Sequence, residues 1–254
     1  MSTVAVTGGA GRIARYLRDG LPATGWTLRP IDRDPADGVE AIDLTADDAI
    51  DRLTTAFTGC AAVVHLGGIA TEADWPTILG TNIDGSYRVL EAARRASVRR
   101  VVLASSNHAV GYHPVTPGPV PADLPGRPDS FYGVSKVALE ALAALYADKY
   151  GLETVALRIG QCAERPLTTF DLGIWLSPGD AVRLVDAALR GPVTGPTVVW
   201  GISANTRAWW DLSSARALGY HPEDDAETWA DDVEPYTGPP GVLGHDMTAV
   251  DPLA

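Results

Sequence analysis

Tyr132 and Lys136 stand four residues apart where a helical pattern begins, so their side chains share one helix face. A free phenol titrates near pH 10 and is no base at neutral pH. A positive charge beside it favours the phenolate and makes the pair a proton acceptor for a hydroxyl group. Chance alone puts a Y-x-x-x-K in many helices, so the spacing needs company. The company is VVLASSNHAVGYH, residues 101–113, an apolar run that breaks into Ser105, Ser106, Asn107 and His108. A buried strand has no use for consecutive polar side chains at its end unless they face a ligand. Ser106 at that strand end is placed to hydrogen-bond a reacting hydroxyl and orient it.

These residues need elements that bring them together, and the patterning supplies them. Residues 3–6 (TVAV), 27–31, 39–44, 61–65, 100–104 and 154–159 read as strands. Helical patterns fill the gaps at 11–18, 47–57, 75–96 and 132–150. Alternating strands and helices, with strands apolar nearly throughout, predict an α/β fold of the Rossmann type, a doubly wound parallel sheet. That core is expected over residues 1–160. Beyond it, a helix at 177–190, a strand at 197–202 and a helix at 209–218 suffice for a small C-terminal substrate-binding cap over 161–230. The tail, 231–254, is acidic and rich in Pro and Gly, and reads as a loose arm or as a strap over a partner subunit.

TGGAGRIA, residues 7–14, follows the first strand and opens the first helix. Gly9, Gly11 and Ala14 match the dinucleotide fingerprint G-x-G-x-x-G/A in the context that motif requires. Backbone without side chains lets a pyrophosphate approach, and the helix N-terminus offers free N–H groups. Gly8, Gly11, Arg12 and Ile13 are the expected contacts. Asp32, at the end of the second strand, suits the adenosine ribose hydroxyls and repels a 2′-phosphate, so NAD is expected over NADP. Arg33 and Arg12 are the nearby charges that would tolerate a phosphate. Asp43, Leu44, Leu66, Gly67, Gly68 and Ile159 also fall at strand C-termini, where ligands bind in open α/β sheets. Asn82, inside a long helix, is expected to support the site from behind. A nicotinamide cation would join Lys136 in lowering the Tyr132 pKa.

The totals remove other classes. A formal net charge of −12 excludes a basic face for nucleic acid or anionic membrane. No apolar run approaches the ~20 residues that span a bilayer. The chain runs straight into a strand pattern without a signal-peptide signature, and Cys60 and Cys162 are too few for a disulfide framework, so a cytoplasmic protein is expected. His113, His221 and His245 lack ligand spacing and no metal is expected; His65 reads as a hydrogen-bonded core histidine. Trp200, Trp209 and Trp210 read as packing of the cap.

The whole set resembles the short-chain dehydrogenase/reductase superfamily in its extended, epimerase-like branch. HLGGIA, TNIDGSYRVLEAAR, ASSNHAVGYHP, RPDSFYGVSK, LRIGQC, VVWGISAN and LGYHP are most similar to uronate dehydrogenases and their relatives. Those enzymes oxidise C1 of a hexuronic acid with NAD to a lactone. The resemblance implies Tyr132 as base, Lys136 as its electrostatic helper and ribose clamp, and Ser106 as the orienting group. It implies a sugar pocket lined by Ala70, Asn107, His108 and Gln161, with Phe170 where those enzymes carry a carboxylate-binding arginine and Arg165 a few residues away. Little more than 90 residues follow Gly160, which suits a small free sugar better than a nucleotide-linked one. Oxidation of another aldose or a hexose 6-phosphate stays open, as does a sugar epimerase that retains NAD. An NAD-binding sensor has no need of Ser106, Tyr132 and Lys136 together. By analogy with the superfamily, the long helices imply a homo-oligomer.

Overall fold

In the computed structural model of the chain, which describes residues 1–116 and 118–248, strands and helices alternate as the patterning predicts. The last six positions of the expected tail, 249–254, lie outside the described residues. β1 (Ser2–Thr7) leads through the glycine turn into α1 (Arg12–Gly20), followed by β2 (Trp26–Asp32), a short β3 (Glu40–Ala41) and α2 (Ala49–Phe57). After β4 (Ala62–His65) comes a helical stretch made of α3 (Trp75–Ile78), a π-helical turn (Leu79–Asp84) and α4 (Gly85–Arg95). β5 (Arg100–Ser106), α5 (Phe131–Tyr150) and β6 (Glu153–Ile159) complete the run to Gly160. Then follow β7 (Gln161–Cys162), α6 (Asp171–Ile174), β8 (Trp175–Leu176), α7 (Pro178–Arg190), β9 (Thr197–Gly201) and α8 (Ser213–Ala217).

The central sheet of the described residues is parallel, in the order β3-β2-β1-β4-β5-β6-β9. The chain winds from β1 to β3 on one side and from β4 to β9 on the other. Between β1 and β4 the order reverses, and the loops leaving these two strands diverge into a crevice at the C-terminal edge. Side-chain alternation buries both faces. Val4 and Val6 of β1 pack with Leu17 of α1 and Leu184 of α7, while Ala5 joins Leu53, Leu90 and Leu139 from α2, α4 and α5.

Three elements differ from the sequence reading. β3 pairs over two residues only, because it is an edge strand and the chain turns at Asp43, whose carboxylate accepts from the Thr45 N–H at 2.8 Å. The helix expected at 209–218 forms only at Ser213–Ala217. Trp209 and Trp210 are extended instead: the Val120 N–H donates to the Trp209 carbonyl at 2.7 Å, and the Trp210 ring stacks on Trp200 at 4.1 Å. β9, expected outside the core, is a strand of the main sheet beside β6. The C-terminal segment lies on its own chain, with the Leu243 N–H donating to the His113 carbonyl and the Gly244 N–H to that of Gly111, both at 3.0 Å. No helix of the described residues is long and apolar enough to cross a membrane.

Candidate active site

Two cavities of about 390 and 310 Å³ share Gly8, Gly11, Leu66, Gly68 and Ile69, and together make one cleft along the C-terminal sheet edge. Its floor is backbone. Gly8 has φ 71°, and a Cβ there would lie 2.7 Å from the Gly67 nitrogen, so the turns after β1 and β4 touch without side chains between them. α1 has no side-chain cap and no acid in its first turn, which leaves its positive end for a ligand anion. Arg12 and Ile13 stand at that end and line the cleft. Asp32 accepts from the Ala10 N–H at 2.9 Å and the Arg33 N–H at 2.7 Å, tying the glycine turn to the end of β2. Arg33 itself pairs with Asp34 at 3.2 Å. Asp43, held below the ordinary carboxylate range chiefly by the Thr45 N–H, lines the same half with Leu44. A pyrophosphate and a ribose diol fit these donors and this acid.

The reacting groups converge at the other end. β5 delivers Ser106, and the first two turns of α5 deliver Tyr132 and Lys136; all three line the cleft with Ala70, Asn107, His108 and Ile159. Lys136 donates from Nζ to the Ala104 carbonyl at 2.8 Å, and Nζ lies 5.3 Å from the centre of the Tyr132 ring. Burial pushes the ammonium down to about 8, against an opposing pull from Glu140. The phenol departs from the sequence expectation. Burial drives it up to about 12; a hydrogen bond with Ser106 pulls it back, and the charge of Asp129 adds to the rise. Among the protein's own groups desolvation therefore outweighs the Ser106 hydrogen bond.

Several expected contacts lie elsewhere. Asn82 does not line the cleft. From the π turn its Oδ1 accepts from the Ile69 N–H at 2.8 Å, and its Nδ2 donates to the Ile69 carbonyl and to Ser135, so it pins the loop after β4 from behind. Gln161 is turned away by strand alternation, whereas its neighbours Gly160 and Cys162 line the cleft. Arg165 is exposed and outside it. Phe170 also lies outside, its ring against Trp209 at 5.3 Å and Tyr236 at 5.0 Å. His65 is buried between Thr7 Oγ1 (2.7 Å) and Ser86 Oγ (3.2 Å), and burial holds it neutral at a pKa of about 3. Among the described residues no group of His, Cys, Asp and Glu is arranged to hold a metal.

Sequence reasoning missed the supports. Glu72 accepts from the Phe131 and Tyr132 N–H groups at 3.0 and 2.9 Å, and the Ser130 hydroxyl accepts from Gly133 at 2.9 Å. These bonds cap the helix that carries Tyr132 and Lys136. Glu140, four residues beyond Lys136, takes the Ser105 hydroxyl at 2.6 Å and forms a buried bidentate pair with Arg158. Asp129 accepts from His108 Nδ1 at 2.9 Å. The signal for Asp129 and Ser130 was present, since Asp-Ser before an apolar helical run reads as a cap; Glu72 left none.

With this geometry in view, the match of residues 4–163 to the NAD dependent epimerase/dehydratase family has a structural basis. The chain belongs to that family. A uronate dehydrogenase of Agrobacterium fabrum is 42% identical over 94% of this chain and 91% of its own length. An L-arabinose 1-dehydrogenase (NAD(P)(+)) of Haloferax volcanii is 36% identical over 90% of this chain and 99% of its own. Among solved structures, a mutant uronate dehydrogenase from Agrobacterium tumefaciens complexed with NAD superposes with TM-score 0.88 at 39% identity, covering 98% of this chain and 97% of that one.

Proposed function

We propose that this protein oxidises a hexuronic acid at C1 to the lactone with NAD, and that Ser106, Tyr132 and Lys136 carry the chemistry. The observation that carries the reading is the meeting of these three side chains in one cleft with the glycine turn. Uronate is favoured over a neutral aldose by the greater similarity to the uronate dehydrogenase, 42% against 36% for the arabinose enzyme.

Gly8, Gly11, Arg12 and Ile13 hold the cofactor phosphates, and Asp32 the adenosine ribose. Asp43, Leu44, Leu66, Gly67 and Gly68 line the adenosine half, and Lys136 and Ile159 the opposite end. Bound NAD supplies the hydride acceptor and a positive ring beside the phenol. Ser106 orients the C1 hydroxyl, and Tyr132 Oη takes its proton. Lys136, anchored on the Ala104 carbonyl, keeps its ammonium where it favours the phenolate. Ala70, Asn107 and His108 flank the sugar. Neither Phe170 nor Arg165 reaches it, so the carboxylate contact falls to groups within the cleft.

In this reading residues 1–160 form the NAD-binding unit, 161–230 a small appendage that lends β9 to its sheet, and 231–254 the tail. The protein is further read as a cytoplasmic homo-oligomer. Cys60 and Cys162 are buried free thiols, and Trp75, Leu79, Tyr87 and Phe131 expose apolar surface around α3 to α5. The test is to incubate the protein with NAD and glucuronate and follow both products by NMR. One lactone per NADH is expected; an epimerised sugar without net NADH would overturn the reading.

A further inference from the structure

Asp129 has a side chain with no exposed surface, although it sits in the loop before α5. A buried carboxylate is costly unless its oxygens are bonded, and both are. Oδ2 accepts from Nδ1 of His108 at 2.9 Å, and Oδ1 accepts from the Ser130 hydroxyl at 2.8 Å. That hydroxyl oxygen in turn accepts from the Gly133 N–H in the first turn of α5. A single carboxylate thus links a side chain of the cleft wall to the helix that carries Tyr132. The His108 ring meets the Tyr132 ring edge-on, with centroids 5.7 Å apart. With Nδ1–H committed to Asp129, Nε2 is the nitrogen His108 has left for a ligand.

The carboxylate has no room to move. A methyl group at Gly111 or at Gly244 would collide with Oδ2, and one at Gly133 would lie 3.1 Å from Oδ1. Gly244 belongs to the C-terminal segment, and its neighbour Leu243 offers its carbonyl to Asn107 Nδ2 at 2.8 Å. The segment therefore braces Asn107 directly and His108 through Asp129.

We propose that Asp129 is a positioning residue for the sugar: it fixes His108 with Nε2 available to the substrate, and Gly244 holds Asp129 in place. This rests on the reading that the cleft oxidises a sugar. The test compares Asp129→Ala, Asp129→Asn and Gly244→Ala with the parent protein, using whichever sugar the parent turns over, alongside NAD titration. Asp129→Ala should lower kcat/KM about 100-fold, mostly through KM for the sugar, as expected when a contact is misplaced by an ångström. NAD affinity should stay unchanged. Asp129→Asn keeps a carbonyl oxygen for Nδ1–H and should recover about tenfold; Gly244→Ala should reproduce the loss with the same split. Parent-like kinetics in Asp129→Ala, or an equal loss of NAD affinity, would overturn the proposal. Should that variant not fold, the ¹⁵N shifts of His108 in the parent protein decide: a protonated Nδ1 is expected, and a bare Nδ1 overturns it. This readout is independent of activity, so a parent protein that oxidises no sugar defeats the functional reading alone.

Discussion

The two halves of the cleft are built by different means. The cofactor half is largely backbone, with the acids Asp32 and Asp43 beside it: Gly8 pressed against Gly67, the uncapped start of α1, and Asp32 holding the Ala10 N–H. The substrate half is side chains from segments far apart in the chain, namely Ala70, Ser106 to His108, and Tyr132, braced by Asp129 and Leu243. A backbone floor demands residues that lack side chains at fixed offsets, which restricts change. A wall of side chains accepts substitution one position at a time. The cofactor half can therefore stay constant while the sugar specificity drifts.

Substitutions can break or sharpen this contrast. The largest effect should come from Tyr132→Phe, which removes one hydroxyl from the substrate half. We expect kcat to fall roughly 10³-fold, the scale of general acid–base catalysis, with NAD affinity nearly intact. A parallel loss of NAD affinity would mean the halves are not separable at this residue.

Lys136 straddles the boundary. Lys136→Met should cost roughly 10²-fold in rate and weaken NAD binding as well. It should also stabilise the fold. The folded pKa of about 8 lies below the ordinary lysine value, so burying the charge opposes folding. That cost is complete below about 8 and fades as pH rises toward the ordinary value. At neutral pH denaturant melts should show the variant more stable, on the order of 1–2 kcal/mol once the lost Ala104 hydrogen bond is counted. The same titration shapes activity. With the Tyr132 phenol at about 12 and Lys136 at about 8, kcat/KM should rise with pH up to about 8 and level off above it. There, loss of the Lys136 charge offsets further loss of the Tyr132 proton.

Asp32→Ala strikes the other half. The Ala10 and Arg33 N–H groups lose their acceptor, and the Kd for NAD should rise roughly 10–100-fold with kcat at saturating NAD little changed. Discrimination against NADP should shrink, measurable as the ratio of initial rates with the two cofactors.

Much of this contrast is legible in the sequence itself. The glycine fingerprint, Asp32 and the Y-x-x-x-K are local patterns, and local patterns survive in a linear chain of residues. The parallel sheet follows from apolar strands alternating with helices. What stays hidden depends on contacts between distant segments. Glu72 caps α5 from a loop some sixty positions earlier, and Leu243 reaches Asn107 from the far end of the chain. The same limit explains Trp209 and Trp210, which look helical by spacing but are held extended by Val120. Resemblance puts Phe170 and Arg165 at the sugar, and the packing of Phe170 on Trp209 and Tyr236 takes it away.

Phe170→Ala should accordingly give the smallest effect. Sugar KM should change less than about twofold, while stability drops about 1–2 kcal/mol for a half-buried ring that loses aromatic neighbours. A tenfold rise in sugar KM, on a scale where tenfold is about 1.4 kcal/mol, would extend the substrate wall to Phe170 and redraw the boundary.

The central claim is tested most directly by NADH formation from NAD with glucuronate, galacturonate, neutral hexoses and hexose 6-phosphates, compared as kcat/KM. The account predicts that a uronate is the best substrate, its carboxylate held inside the cleft without Phe170 or Arg165. Turnover of a neutral or phosphorylated sugar with silence on both uronates would contradict it.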